Sequence, residues 1–275
     1  MKRLSLILVM AFLAINACRL GADPATVAAT AAVETAAAAS PTPSISPSPL
    51  PPTSTPTPLP TETLTPTPTP NRTATAVVKA TQGAASVVKE LDTLLTNTDI
   101  PYKNGHLAWQ KKDSIDITLE QQGGIYDEIA KGIKAENFIL KSDVTWNATG
   151  IVLCGALFRS EKNFEKGAQY KFLFLRLSGV PGWDIEFHNF GQYKSNVTGK
   201  IRFASALDLD NGATNQFVLV AQNNKFTVYI NGVRQGQFTD DSKLASDGYL
   251  AFLGVEDSGE STCTFENSWL WILDK

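Results

Sequence analysis

Asp184, Glu186 and His188 occupy alternate positions in the segment from Trp183 to Phe190. Alternate residues of a β-strand share one face, so two carboxyls and an imidazole would stand in a row. Paired carboxyls can divide into acid and base, or acid and nucleophile, for glycosidic cleavage. That chemistry asks for about 5–5.5 Å between them for retention, or about 6.5–9.5 Å for inversion. Without turnover, the same groups make directional bonds to sugar hydroxyls. His188 could serve as a base, but no Ser or Cys nucleophile stands beside it in the sequence.

The partner strand lies just upstream. Residues 170–190 read as a hairpin with 178–182 as the connection and Leu177 paired with Trp183. Leu173, Leu175, Leu177, Trp183, Ile185 and Phe187 then form a core face. The opposite face sets Tyr170, Phe172, Phe174 and Arg176 against Phe190, His188, Glu186 and Asp184. Arg176 stands directly across from Asp184, a pair worth roughly 0.2–1 kcal/mol. Rings stack on apolar sugar faces, so these eight residues are the expected ligand-binding set, with Asp184 and Glu186 as the weak catalytic candidates. The competing expectation is a face covered by the insertion 160–169. A slip of one residue would invert the strand.

The surrounding chain is all β. Phe226, Val228 and Ile230 share one face of a strand ending at Asn231–Gly232, a pair that suits a two-residue type I′ hairpin turn. Further strands are expected at 115–119, 138–146, 151–159, 170–177, 183–190, 217–221, 249–253 and 263–273. Ten to thirteen short strands without a long helical period imply a sandwich or a barrel. Trp109, Trp146, Trp269 and Trp271 are expected in the core, with the last two pointing inward from one strand face.

The first hundred residues differ. Twelve of the 15 prolines fall between Pro41 and Pro70, interleaved with Ser and Thr. Such composition buries nothing and denies backbone donors; as polyproline II its thirty residues would span roughly 90 Å at ~3.1 Å each. Between residues 73 and 95, Val77, Ala80, Ala84, Val88, Leu91 and Leu95 recur at three- and four-residue steps, which predicts an amphipathic helix weakened by Gly83. Met1–Lys2–Arg3 and an apolar run to Ala14 form an export signal, too short to span a bilayer. Ile15–Asn16–Ala17–Cys18 resembles the bacterial lipobox, which implies acylation of Cys18 and anchoring on an outer membrane face; a plain signal peptide cleaved near Ala17 is the alternative. The expected organisation is signal peptide 1–17, lipidated Cys and disordered linker 18–72, helical neck 73–98, and sandwich 102–275. Residues 102–275 hold 18 Lys/Arg against 21 Asp/Glu, so there is no basic excess to neutralise phosphates, and nucleic acid is not an expected partner.

Lys225-Phe-Thr-Val-Tyr-Ile-Asn-Gly-Val233, then Gly248-Tyr-Leu-Ala-Phe-Leu-Gly254, then Cys263-Thr-Phe-Glu-Asn-Ser-Trp-Leu-Trp271 are similar to the closing half of concanavalin A-like lectin/glucanase domains. Together with 155–159 and 170–179 they resemble the laminin-G-like and 3-keto-disaccharide hydrolase branch. The resemblance implies a two-sheet antiparallel jelly-roll sandwich whose concave sheet often binds glycans. Asp184 and Glu186 also resemble part of the Glu-x-Asp-x-x-Glu strand of laminarinase-type glucanases, with Gly182 and His188 in the flanking positions. Cys154 and Cys263 both fall on expected strands, and in an exported domain they favour a disulfide over two buried thiols. Asp208–Leu209–Asp210–Asn211–Gly212 resembles the start of a calcium loop, or else a turn; no other cofactor is expected. These features point to a surface lipoprotein whose sandwich binds carbohydrate or another extracellular ligand. A glycoside-cleaving enzyme and a structural or adhesive envelope protein are the alternatives.

Overall fold

The computed structural model describes residues 72–120, 123–177 and 179–274. The expected export signal, Cys18 and the Pro/Thr linker lie outside the described residues. Among the described residues, fourteen strands form two antiparallel sheets. The first sheet runs β1 (Gly105–Lys111), β14 (Ser261–Leu273), β4 (Phe138–Ala148), β10 (Thr214–Gln222), β11 (Lys225–Ile230) and β12 (Val233–Thr239), with β2 (Ile115–Leu119) beside the other half of β14. The second runs β3 (Gly123–Ile129), β13 (Tyr249–Glu256), β5 (Val152–Ser160), β6 (Gln169–Leu177), β7 (Val180–Asn189) and β8 (Gln192–Asn196), with β9 (Arg202–Phe203) also on β7. This is the two-sheet antiparallel jelly-roll sandwich expected from the sequence. The turn at Asn231 and Gly232 has both residues at positive φ, 48° and 76°, and joins Ile230 to its partner Val233.

Aromatic rings fill the space between the sheets. Phe252 stacks on Phe265 at 4.2 Å, Phe158 on Tyr170 at 5.2 Å, and Phe172 meets Phe217 at 5.3 Å. Cys154 on β5 and Cys263 on β14 form a disulfide between the two sheets, with Cα atoms 5.8 Å apart.

A helix, α1 (Arg72–Leu94), covers the outer face of the first sheet. Val87, Leu91 and Leu95 sit one turn apart and pack on Ile139, Val218, Val220, Trp269 and Trp271. The Trp269 indole donates to Glu90 at 2.9 Å, the Trp271 indole to the Tyr102 carbonyl at 2.9 Å, and Tyr102 donates to Asp92 at 2.7 Å. Trp269 and Trp271 are therefore buried, but under the helix and not in the sandwich core. Both faces of β14 are covered, so an apolar pair on it does not by itself say which way is in.

Candidate functional site

The hairpin of β6 and β7 is tighter than the sequence suggested. Leu177 pairs with Val180, leaving residues 178 and 179 between them, and Gly179 takes φ 84°. That positive φ is cheap for glycine and supports the short turn. Compared with the expected pairing, β7 is displaced by three residues along β6. An odd displacement reverses one strand's faces relative to the other. On β7 the expectation holds: Trp183, Ile185 and Phe187 point into the core, and Asp184, Glu186 and His188 share the outer face. On β6 it inverts. Tyr170, Phe172 and Phe174 are fully buried in the core opposite Phe187, Ile185 and Trp183, while Lys171, Leu173 and Leu175 face outward.

The other expected members also move. Arg176 lies opposite Pro181 and donates to the carbonyls of Leu209 and Gly150, so it does not pair with Asp184. Tyr170 donates to Asp240 inside the sandwich. Phe190 sits past the end of β7 at φ 54°, 77% exposed. The three-ring face of β6 is core because planar aromatic rings fill the volume between two sheets; no ring of that face is available to a ligand.

What remains on the outer face is a polar row along β7 with new neighbours. The Glu186 carboxylate and His188 Nε2 are 2.7 Å apart, and Tyr193, across from His188, meets the imidazole edge to face at 6.0 Å. Asn196 donates to Asp184 Oδ2 at 2.8 Å. Lys171 pairs across the strands with Glu186, and its ammonium lies 5.7 Å from the ring centre of Tyr126 on β3. Two strands, β13 and β5, separate those residues. Leu253, across from Tyr126 on the same face, is fully buried. Burial pushes the Lys171 ammonium down and Glu186 opposes it. Neither Lys171, Tyr126, Tyr193 nor Asn196 was among the expected site residues. The turn at Phe190–Gly191 was the usable signal, because a strand returning from it must pass beside β7.

Asp184 is only 1% exposed, and its Oδ1 has no hydrogen-bond partner among the described residues. Burial first, and Glu186 second, raise its pKa from 3.8 to about 7, against the hydrogen bond from Asn196. The native state thus holds this proton more tightly than the unfolded chain does. Stability falls as pH rises between those two values and is level above them. Asp184→Asn removes the charge and should abolish that fall. Urea unfolding at pH 4, 6 and 8 checks this: the variant should gain on the parent by a few kcal/mol at pH 8 and little at pH 4. Equal slopes for both proteins would refute it.

Gly182 occupies the outer-face position preceding Asp184, where a third carboxyl would complete the glucanase-like row. A Cβ there would come 3.1 Å from Ile201 Cγ2, so even the start of a side chain is tight. The Asp208–Gly212 segment is a turn: Asp208 Oδ1 accepts from the Asp210 amide, and the Asn211 side chain bonds both backbone groups of Ala148. Among the described residues, no three His, Cys, Asp or Glu side chains gather to hold a metal ion.

Exposed aromatics flank the β7 row. Phe203 is 68% exposed and lies across from Gly182, at one end; Tyr193 is 55% exposed and lies across from His188, at the other. Six residues of strand, about 20 Å, separate those ends.

No protein-family model matches the chain, and no curated protein matches it. Solved structures do. A carbohydrate-binding module from Bacillus subtilis is similar at 16% identity over 61% of this chain and 94% of its own, with a TM-score of 0.44. A family 16 endo-glucanase from Bacteroides ovatus is similar at 13% identity over 61% and 84%, TM-score 0.41. A β-glucanase from Bacillus licheniformis is similar at 9% identity over 59% and 79%, TM-score 0.40. The likeness is one of fold.

Proposed function

We propose that the sandwich is a non-catalytic carbohydrate-binding domain, and that its ligand lies along β7 on the outer face of the second sheet. One observation carries this: two exposed rings, Tyr193 and Phe203, stand on the same face at opposite ends of a row of hydrogen-bonding groups. Rings take the apolar faces of sugar units, and Glu186 and His188 between them take hydroxyls. The spacing suits an extended oligosaccharide better than a single sugar. Cys18 and the Pro/Thr spacer support display of the domain at some distance from a membrane on the outer side of a bacterial cell.

A glycan array and affinity electrophoresis of the full-length chain test the proposal. A retained polysaccharide is expected, and Tyr193→Ala and Phe203→Ala should each weaken retention about tenfold. Both side chains are exposed, so neither change should unfold the domain. An array including cell-wall and plant polymers that gives no signal, or two variants that bind like the parent, would refute it and leave an envelope role.

Cleavage of the glycan is the second reading, and the raised pKa of Asp184 beside Glu186 favours it, as a general acid needs a carboxyl that keeps its proton. The burial of Asp184 and the crowding at Gly182 count against it. Loss of turnover on a retained glycan in Glu186→Gln would decide for catalysis.

A further inference from the structure

The opposite side of the sandwich holds a polar cavity of about 420 Å³, between the loop that follows α1 and the outer faces of β10 to β12. Lys225, Thr227 and Tyr229 of β11 line it, with Arg234 and Gln237 of β12. A β-bulge builds this arrangement. Val228 pairs with Gly236 but Tyr229 pairs with Arg234, so Gln235 is the extra residue and the guanidinium, not the amide, comes opposite the tyrosine. Bulges re-aim side chains in this way.

Two features point to a ligand. Tyr229 is 4% exposed and its hydroxyl has no hydrogen-bond partner among the described residues. Buried hydroxyls are nearly always paired, so an orphan one asks for an explanation. Burial raises the Tyr229 hydroxyl pKa, and the Arg234 guanidinium opposes it by its charge and by a hydrogen-bonding approach to that hydroxyl, a contact that falls short of a well-formed hydrogen bond. The second feature is charge. Lys225 and Arg234 face Asp99 as the lone carboxylate of the lining, a local positive excess on a chain whose net charge is −3.

We infer that this cavity binds a carboxylated sugar of monosaccharide size, its carboxylate on Arg234 and Lys225 and its hydroxyls on Tyr229, Thr227 and Gln237. The volume lies at the small end of ligand pockets. An arginine fork matches a carboxylate in two parallel bonds, and Arg234 is exposed. The site is separate from the β7 row, on the other sheet.

Calorimetric titration of the full-length chain with D-glucuronate, D-glucose and acetate tests this inference. Glucuronate should bind saturably and at least about tenfold tighter than either of the others, because each of those lacks one half of the recognition. Arg234→Gln and Tyr229→Phe should each weaken it about tenfold; Tyr229→Phe keeps the ring that packs under α1, so a folding defect is not expected. Tyr193→Ala and Phe203→Ala should leave glucuronate binding unchanged, which separates this site from the β7 row. Absent binding, glucose equal to glucuronate, acetate equal to glucuronate, or indifference to both cavity variants would each overturn the inference.

Discussion

Replacing Cys154 and Cys263 together by alanine should lower the unfolding free energy by about 4–5 kcal/mol. The bridge closes a loop of 109 residues, and in the chain-entropy model loops of that order contribute about 4.7 kcal/mol by restricting the unfolded chain. The cross-link ties β5 of one sheet to β14 of the other, so it also holds the two layers face to face. For a domain of this size the loss corresponds to a melting temperature lower by about 10–15 °C. Denaturant unfolding of the double variant, and of the native protein with and without reductant, measures it. A loss below about 1 kcal/mol would mean that the two layers are held by packing alone.

Phe172→Ala should cost about 3–5 kcal/mol, as large aromatic deletions in cores do. Its ring is fully buried and meets Phe174 at 5.1 Å, Phe217 at 5.3 Å and Trp183 at 6.2 Å, so the void is bounded by stiff neighbours that cannot collapse into it. The same change would cost under about 1 kcal/mol if Phe172 stood on a solvated sheet face. The measurement therefore reports the register of β6 against β7 directly. A small cost would return Tyr170, Phe172 and Phe174 to the outer face.

That register is also where sequence patterning reaches its limit. The alternation of β7 is legible because Asp184, Glu186 and His188 contrast with Trp183, Ile185 and Phe187. On β6 both faces are apolar: three aromatic residues alternate with Leu173, Leu175 and Leu177, so burial alone does not choose between them. The choice falls to the turn, and the residue pair that decides it includes Gly179, whose neighbour Pro181–Gly182 looked like the better turn signal. The tryptophans of β14 fail to declare their direction for the related reason that a helix covers one side and a sheet the other. Strands with one polar face, and the Asn231–Gly232 hairpin, were plain from the residues themselves. Edge strands β1, β3 and β8 were not, being polar or glycine-bearing, and with β8 went Tyr193 and Asn196 of the outer-face site.

The position of β14 bears on how the molecule comes into being. It is the last of the described strands, yet it lies in the middle of its sheet, bonded on one side to β4 and on the other to β1 and β2. Until residues 261–273 leave the ribosome, three strands made long before lack their neighbour, and Cys154 lacks the thiol it joins. Nascent chain up to that point cannot close its layers. The sandwich therefore acquires its shape only once residues 261–273 are available, in a step dominated by distant pairings.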